Sequence, residues 1–283
     1  MENKKNLNLF IECKDHTVSG ETFQLFHDSD LDMLITSPKP KEEDLGRYYE
    51  SEDYISHTDA KRSLFEKLYH TVKVYSLQKK VKLISKLHNS AGNLLDIGAG
   101  TGDFLVAAQK KGWNVSGTEP NDQARKLAEA KEVNMNQDIT DLEINSFDVI
   151  TMWHVLEHVS NLEDQIIELK KLLKPNGYLI IAVPNFKSFD AKYYKSFWAA
   201  YDVPRHLWHF SKTSIRKLFS KHDLKLEKTL PMKFDSYYVS LLSEKYKNGK
   251  MNFFNAFRIG FLSNAKAKRS KEYSSHIYIL KNS

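Results

Sequence analysis

Leu94-Leu95-Asp96-Ile97-Gly98-Ala99-Gly100-Thr101-Gly102-Asp103 decides how the rest of the chain is read. A short apolar run closes on an acid, and three glycines then stand at every second position. Such a run predicts a buried strand that breaks into a tight turn with a helix behind it. Glycines suit a turn where the backbone takes positive φ or a ligand touches the main chain. The helix that follows offers unpaired N–H groups and the positive end of a dipole, a place for a polar, partly anionic ligand. A phosphate-binding P-loop would need Gly-Lys-Ser/Thr after the glycines, and no lysine is there. A dinucleotide fingerprint needs a third glycine where Asp103 stands.

The spacing G-x-G-x-G behind an acid resembles motif I of class I S-adenosylmethionine (SAM) methyltransferases. In that family the loop wraps the methionine half of SAM, which implies cofactor roles for Asp96, Gly98, Gly100 and Gly102. Trp113 to Glu119 predicts a second strand, and an acid at its end is placed to accept both ribose hydroxyls of an adenosine. The weak third strand Val133–Gln137 runs into Asp138 and Ile139. By the resemblance, these give the adenine a carboxylate for its amino group and an apolar side chain for its face. A turn-forming aspartate is the alternative for Asp138.

Phe147–Met152 predicts the fourth strand, and Trp153-His154-Val155-Leu156-Glu157-His158-Val159 follows it. Chemistry in open α/β sheets gathers beyond the carboxyl ends of strands. A neutral imidazole at His154 could take a proton from a phenol or alcohol as the methyl group arrives. The phrase resembles the motif after strand four of ubiquinone-type and related small-molecule O-methyltransferases. Some members bind a divalent metal there through Glu-x-x-Glu-His. This chain has His154 in the first position, so the expectation is that no metal is held.

Leu162–Leu173 predicts a helix, and Tyr178–Val183 a fifth strand, apolar throughout. Beyond it comes Phe197-Trp198-Ala199-Ala200-Tyr201-Asp202-Val203-Pro204-Arg205-His206-Leu207-Trp208-His209-Phe210-Ser211. Aromatic walls with a few polar groups describe a substrate pocket. Trp198, Tyr201 and Arg205 are therefore expected to bind the acceptor, with His206 and His209 as second choices for the base. The same histidines could instead pin a loop by hydrogen bonds. The phrase resembles the Asp-x-Pro-Arg-His-x-x-His-Phe element of a broad bacterial SAM-methyltransferase group. Ser211 is placed to cap the next helix.

Strand and helix signals alternate through five rounds, which is the doubly wound pattern. A helix over 59–88 with an apolar face of Val74, Leu77, Val81 and Ile84 precedes them. The fold implied is a Rossmann-like α/β sheet of seven strands, six parallel and the last antiparallel, with helices on both faces. We divide the chain into an irregular N-terminal arm (1–57), a SAM-binding core (58–230), a helical lid insertion (231–272) and a final core strand (273–283). The arm resembles an N-terminal module in which two cysteine pairs bind zinc. Only Cys13 stands here, beside His16, His27, Asp28, Asp30 and Asp32, so a degenerate, metal-free remnant is expected. The tyrosine-rich phrases Leu45–Glu50 and Tyr54–His57 are expected near the cofactor or packed on the core.

The lid's second helix carries Phe253, Phe254, Phe257 and Phe261, then Lys266, Lys268, Arg269 and Lys271. This order suits a lid packed on the core, or transient contact of the 253–271 segment with an anionic membrane surface. Net charge is +6, which permits an acidic partner without requiring one, and no nucleic acid is expected. One cysteine allows no internal disulfide and suits a reducing cytoplasm. No signal-peptide pattern or membrane-spanning stretch is read. The implied activity is SAM-dependent methyl transfer to a hydrophobic or aromatic small molecule. An RNA methyltransferase and a non-catalytic SAM-binding protein are the alternatives.

Overall fold

The computed structural model describes residues 7–49, 64–88 and 90–283. Its centre is a seven-stranded sheet made by β4 (Asn93–Ile97), β5 (Asn114–Thr118), β6 (Asn134–Asn136), β7 (Phe147–Trp153), β8 (Leu173–Pro184), β10 (Leu224–Pro231) and β11 (Ser275–Asn282). The order is β10-β11-β8-β7-β4-β5-β6, with β11 antiparallel to both neighbours and the other pairs parallel. The expected sheet is therefore present, strand for strand. Its strands are apolar on both sides because both sides are covered. Leu95, Ile150 and Ile181 enter one core, while Leu94, Val149 and Ile180 enter the other. Val81 and Ile84 of the helix Leu64–Leu87 join the second core, but Val74, expected on the same face, is 41% exposed. The segment Lys174–Gly177, between the expected helix and the expected fifth strand, lies inside the assigned bounds of β8, with Asn176 at φ 64°.

The arm folds as β1 (Leu7–Lys14), β2 (Thr22–Asp28) and β3 (Met33–Ser37), an antiparallel meander. Its fourth strand, β9 (Trp208–His209), comes from the loop after β8 and pairs with Leu34 and Ile35. The arm and that loop share one apolar cluster, in which Phe23, Leu25 and Leu34 meet Trp198, Tyr201 and Val203. Cys13 is buried in the same cluster, and burial pushes its thiol up to about 12. The arm's other candidates are engaged separately: His16 stacks on Tyr246, Asp28 accepts from the Asp30 and Leu31 amides, and Asp32 pairs with His27 and Lys187.

Between β10 and β11 lie two helices, Asp235–Asn248 and Phe253–Ser270. Gly249 ends the first at φ 72°, and the Asn252 side chain caps the second by accepting from the Asn255 amide. Of the tyrosine-rich phrases, residues 50 and 54–57 lie outside the described residues.

Candidate active site

The glycine turn leaves β4 with Gly98, Gly100 and Gly102 all at positive φ. A Cβ on Gly98 would lie 2.5 Å from Val155, whereas one on Gly100 would meet nothing within 4 Å. The open space over Gly100 leaves room for a ligand against the backbone. Glu119, at the end of β5, spans the same turn: its carboxylate accepts from the Gly100 amide at 2.9 Å and the Asn121 amide at 3.0 Å. Asp96 is buried and accepts from the Thr151 hydroxyl at 2.6 Å. Burial pushes its carboxyl up to about 7, against the pull of that hydrogen bond and of Lys80. The Lys80 ammonium lies 4.2 Å from the Trp153 ring centroid. Asp138 is exposed and one oxygen of its carboxylate accepts from the Thr140 amide at 2.8 Å, a local bond compatible with either role, and Ile139 packs partly on the core.

Beyond β7 the chain bends sharply. His154 sits at φ 59°, a conformation costly for a residue with a Cβ, and its amide donates to the Ala182 carbonyl. That bend turns the imidazole into a cavity of about 550 Å³ lined also by Tyr49, Lys80, Glu157, Asp235 and Tyr246. Nδ1 lies 3.4 Å from Glu157, and Nε2 lies 3.2 Å from Asp235 at the start of the first lid helix. Burial alone would pull the imidazole down, but the two carboxylates push it up to about 10. This arrangement favours the protonated ring, whereas the expected base role needs the neutral form.

Arg205 and His206 also line the cavity. Arg205 is nearly buried and donates to Asp202, Asp15, Thr17 and the Tyr48 carbonyl. It therefore ties the loop to the arm. His206 Nδ1 donates to the Ala200 carbonyl at 2.9 Å. Glu157, His158 and His206 bring one donor atom each within 4.8 Å of one another, a set that could hold a divalent cation.

Three expectations are corrected. His209 is 4% exposed and donates Nε2–H to the Thr36 hydroxyl at 3.0 Å, so it pins β9 to β3. Trp198 and Tyr201 are buried in the shared cluster, and Trp198 donates to Asp190 at 2.8 Å. Neither lines the His154 cavity; its tyrosine walls are Tyr48, Tyr49, Tyr238 and Tyr246. Sequence reasoning missed Lys80 and Asp235. Each belongs to a helix whose approach to β7 is set by packing, and no local pattern marks either.

A methyltransferase-domain family model matches residues 68–229, more than half of the chain. The chain belongs to the methyltransferase-domain family. The match covers the glycine turn, Glu119, His154 and Arg205 and stops before Asp235. The chain is 38% identical over 106 residues to the ubiquinone biosynthesis O-methyltransferase of Actinobacillus pleuropneumoniae, covering 32% of this chain and 45% of that one. The chain spans about half the length of the curated relatives it matches. Among solved structures, a SAM-dependent methyltransferase from Archaeoglobus fulgidus superposes with a TM-score of 0.51 at 16% identity, covering 73% of this chain and 93% of that one. Geranyl diphosphate C-methyltransferase from Streptomyces coelicolor, in complex with Mg2+, a substrate analogue and S-adenosyl-L-homocysteine, gives 0.51 at 14% identity, covering 73% and 76%. These likenesses show the fold.

Proposed function

We propose that the chain transfers a methyl group from SAM to an oxygen of a small hydrophobic or aromatic acceptor, in the cytoplasm. The observation that carries this is His154, turned by its own strained backbone at the carboxyl end of β7 into a cavity with aromatic walls. The name of the curated relatives it matches, ubiquinone biosynthesis O-methyltransferase, supports oxygen as the acceptor atom. Cofactor roles fall to Asp96, Gly98, Gly100, Gly102, Glu119, Asp138 and Ile139.

Methyl transfer is an in-line displacement, so holding sulfonium and acceptor close and aligned supplies much of the rate. The acceptor hydroxyl takes the place of Asp235 at Nε2. Withdrawal of Asp235 removes the carboxylate that holds the Nε2 proton, and that proton passes to solvent; Glu157 keeps the proton on Nδ1, so the neutral ring offers its Nε2 lone pair to the hydroxyl proton. The acceptor oxygen bonds to the methyl carbon, the carbon–sulfur bond breaks, and its electrons stay on S-adenosylhomocysteine. The proton ends on His154, where Glu157 stabilises the imidazolium. Arg205 and His206 shape the acceptor side; Trp198, Tyr201 and His209 support the loop from behind. Contact of the 253–271 segment with a membrane is compatible with this role.

The test is turnover of methyl-labelled SAM with a panel of phenols and catechols, wild type against His154→Gln. Label in an ether that falls by about 100-fold in the variant, the low end for general base catalysis, supports the proposal. Label in RNA instead would favour the nucleic-acid alternative.

A further inference from the structure

The second lid helix packs its small residues inward: Ala256, Gly260, Ser263 and Ala267 are buried along one side. Its phenylalanines face the other way. Phe254 is 82% exposed, Phe257 65% and Phe261 57%, and the three lie within about one quadrant of the helix at 3.6 residues per turn. A lid packed on the core would have turned these rings inward, so core packing does not account for them. A contiguous apolar ridge of this kind marks an interaction surface.

Charge identifies the partner. Residues 245–271 contain eight lysines and arginines and no aspartate or glutamate. Subtracting that +8 from the chain's +6 leaves all other residues at a net −2. The positive charge of the molecule is thus concentrated on the segment that bears the exposed rings, with Lys247, Lys250, Arg258, Lys268 and Arg269 themselves exposed. Exposed aromatics flanked by basic side chains are the composition of a helix that lies in a bilayer interface. A groove of about 580 Å³ beside the ridge, lined by Leu77, Phe234, Leu241 and Phe257, shares Ser76, Lys80, Asp235 and Tyr238 with the His154 cavity.

We propose that the helix Phe253–Ser270 docks the enzyme on an anionic bilayer surface, its phenylalanines inserted between acyl chains and its basic residues on the headgroups. Docking puts the mouth of the shared groove at the lipid interface. The proposal rests on the helix's exposure and charge, independently of the acceptor assignment.

The experiment is co-sedimentation of the full chain with vesicles of mixed phosphatidylglycerol and phosphatidylcholine, and with phosphatidylcholine alone. Wild type is expected to pellet with the anionic vesicles, to prefer them over neutral ones, and to be released by high salt. Phe254→Ser/Phe261→Ser is expected to weaken partitioning by on the order of tenfold, and Lys268→Glu/Arg269→Glu to abolish the anionic preference. Unchanged S-adenosylhomocysteine affinity in both variants certifies their folding. Wild type left in the supernatant with both vesicles overturns the proposal. So does a lipid-free dimer in light scattering that the serine variant dissolves, since a second copy would then cover the ridge.

Discussion

His154 and Asp235 face each other at 3.2 Å, although one ends a strand of the family domain and the other begins a lid helix outside it. Nδ1 of the same ring faces Glu157 at 3.4 Å. The ring therefore bridges core and lid, and the two carboxylates hold its proton. Asp235→Asn removes one of them while keeping the size of the side chain. The His154 titration midpoint, followed by nuclear magnetic resonance of the labelled imidazole, should fall from its raised value toward the ordinary 6.5. An unchanged midpoint would mean that the lid carboxylate does not act on the ring.

Arg205 carries a structural load that its place in the cavity hides. It is 8% exposed and forms ion pairs with Asp202 at 2.6 Å and Asp15 at 3.3 Å. Arg205→Met leaves the buried Asp15 without its cation. Removing one partner of a buried pair costs about 3–5 kcal/mol, so urea denaturation should show a loss of that order. A change within about 0.5 kcal/mol, typical of a surface substitution, would contradict the bridge.

Trp198→Ala should act on stability before it acts on acceptor binding. The indole is 2% exposed and packs edge-on against Tyr201 at 4.9 Å. Truncating such a core aromatic costs about 3–5 kcal/mol. A variant of wild-type stability with a raised acceptor KM would restore Trp198 to the pocket wall.

The sheet was legible because its evidence is local. Apolar runs, the glycine turn at Gly98–Gly102 and the acids Asp96 and Glu119 each carry their meaning in a few residues. The loop after β8 was legible in composition but not in direction. Trp198, Tyr201 and His209 look like pocket residues until the arm is laid over them, and β9 pairing with β3 depends on contacts more than 170 residues apart in sequence. Lys80 and Asp235 carry no local signal, because only tertiary packing brings them to Asp96 and His154. The phenylalanine ridge allowed two readings, and the outward direction of Phe254, Phe257 and Phe261 argues against the packed lid.

Acid should destabilise the fold before ordinary carboxylates titrate. Burial pulls His209 down to about 3 and His158 and His276 to about 4, below the usual 6.5. The unfolded chain therefore binds three more protons at these sites as pH falls below 6.5, and their stabilising contribution is lost toward pH 4. Asp96, pushed up to about 7, works in the opposite direction for one proton. The balance is a loss of two protons' worth, about 2.7 kcal/mol per pH unit at most. The Tm should drop between pH 7 and pH 5; a flat or rising Tm would mean that these histidines are hydrated.

The central claim is that the glycine turn and Glu119 form the cofactor site. Calorimetric titration of S-adenosylhomocysteine into wild type and Glu119→Ala tests it most directly. Micromolar binding to wild type is expected, weakened in the variant by about 1.4 kcal/mol or more, a factor of ten. No binding to folded wild type, or equal affinity in both proteins, would contradict it.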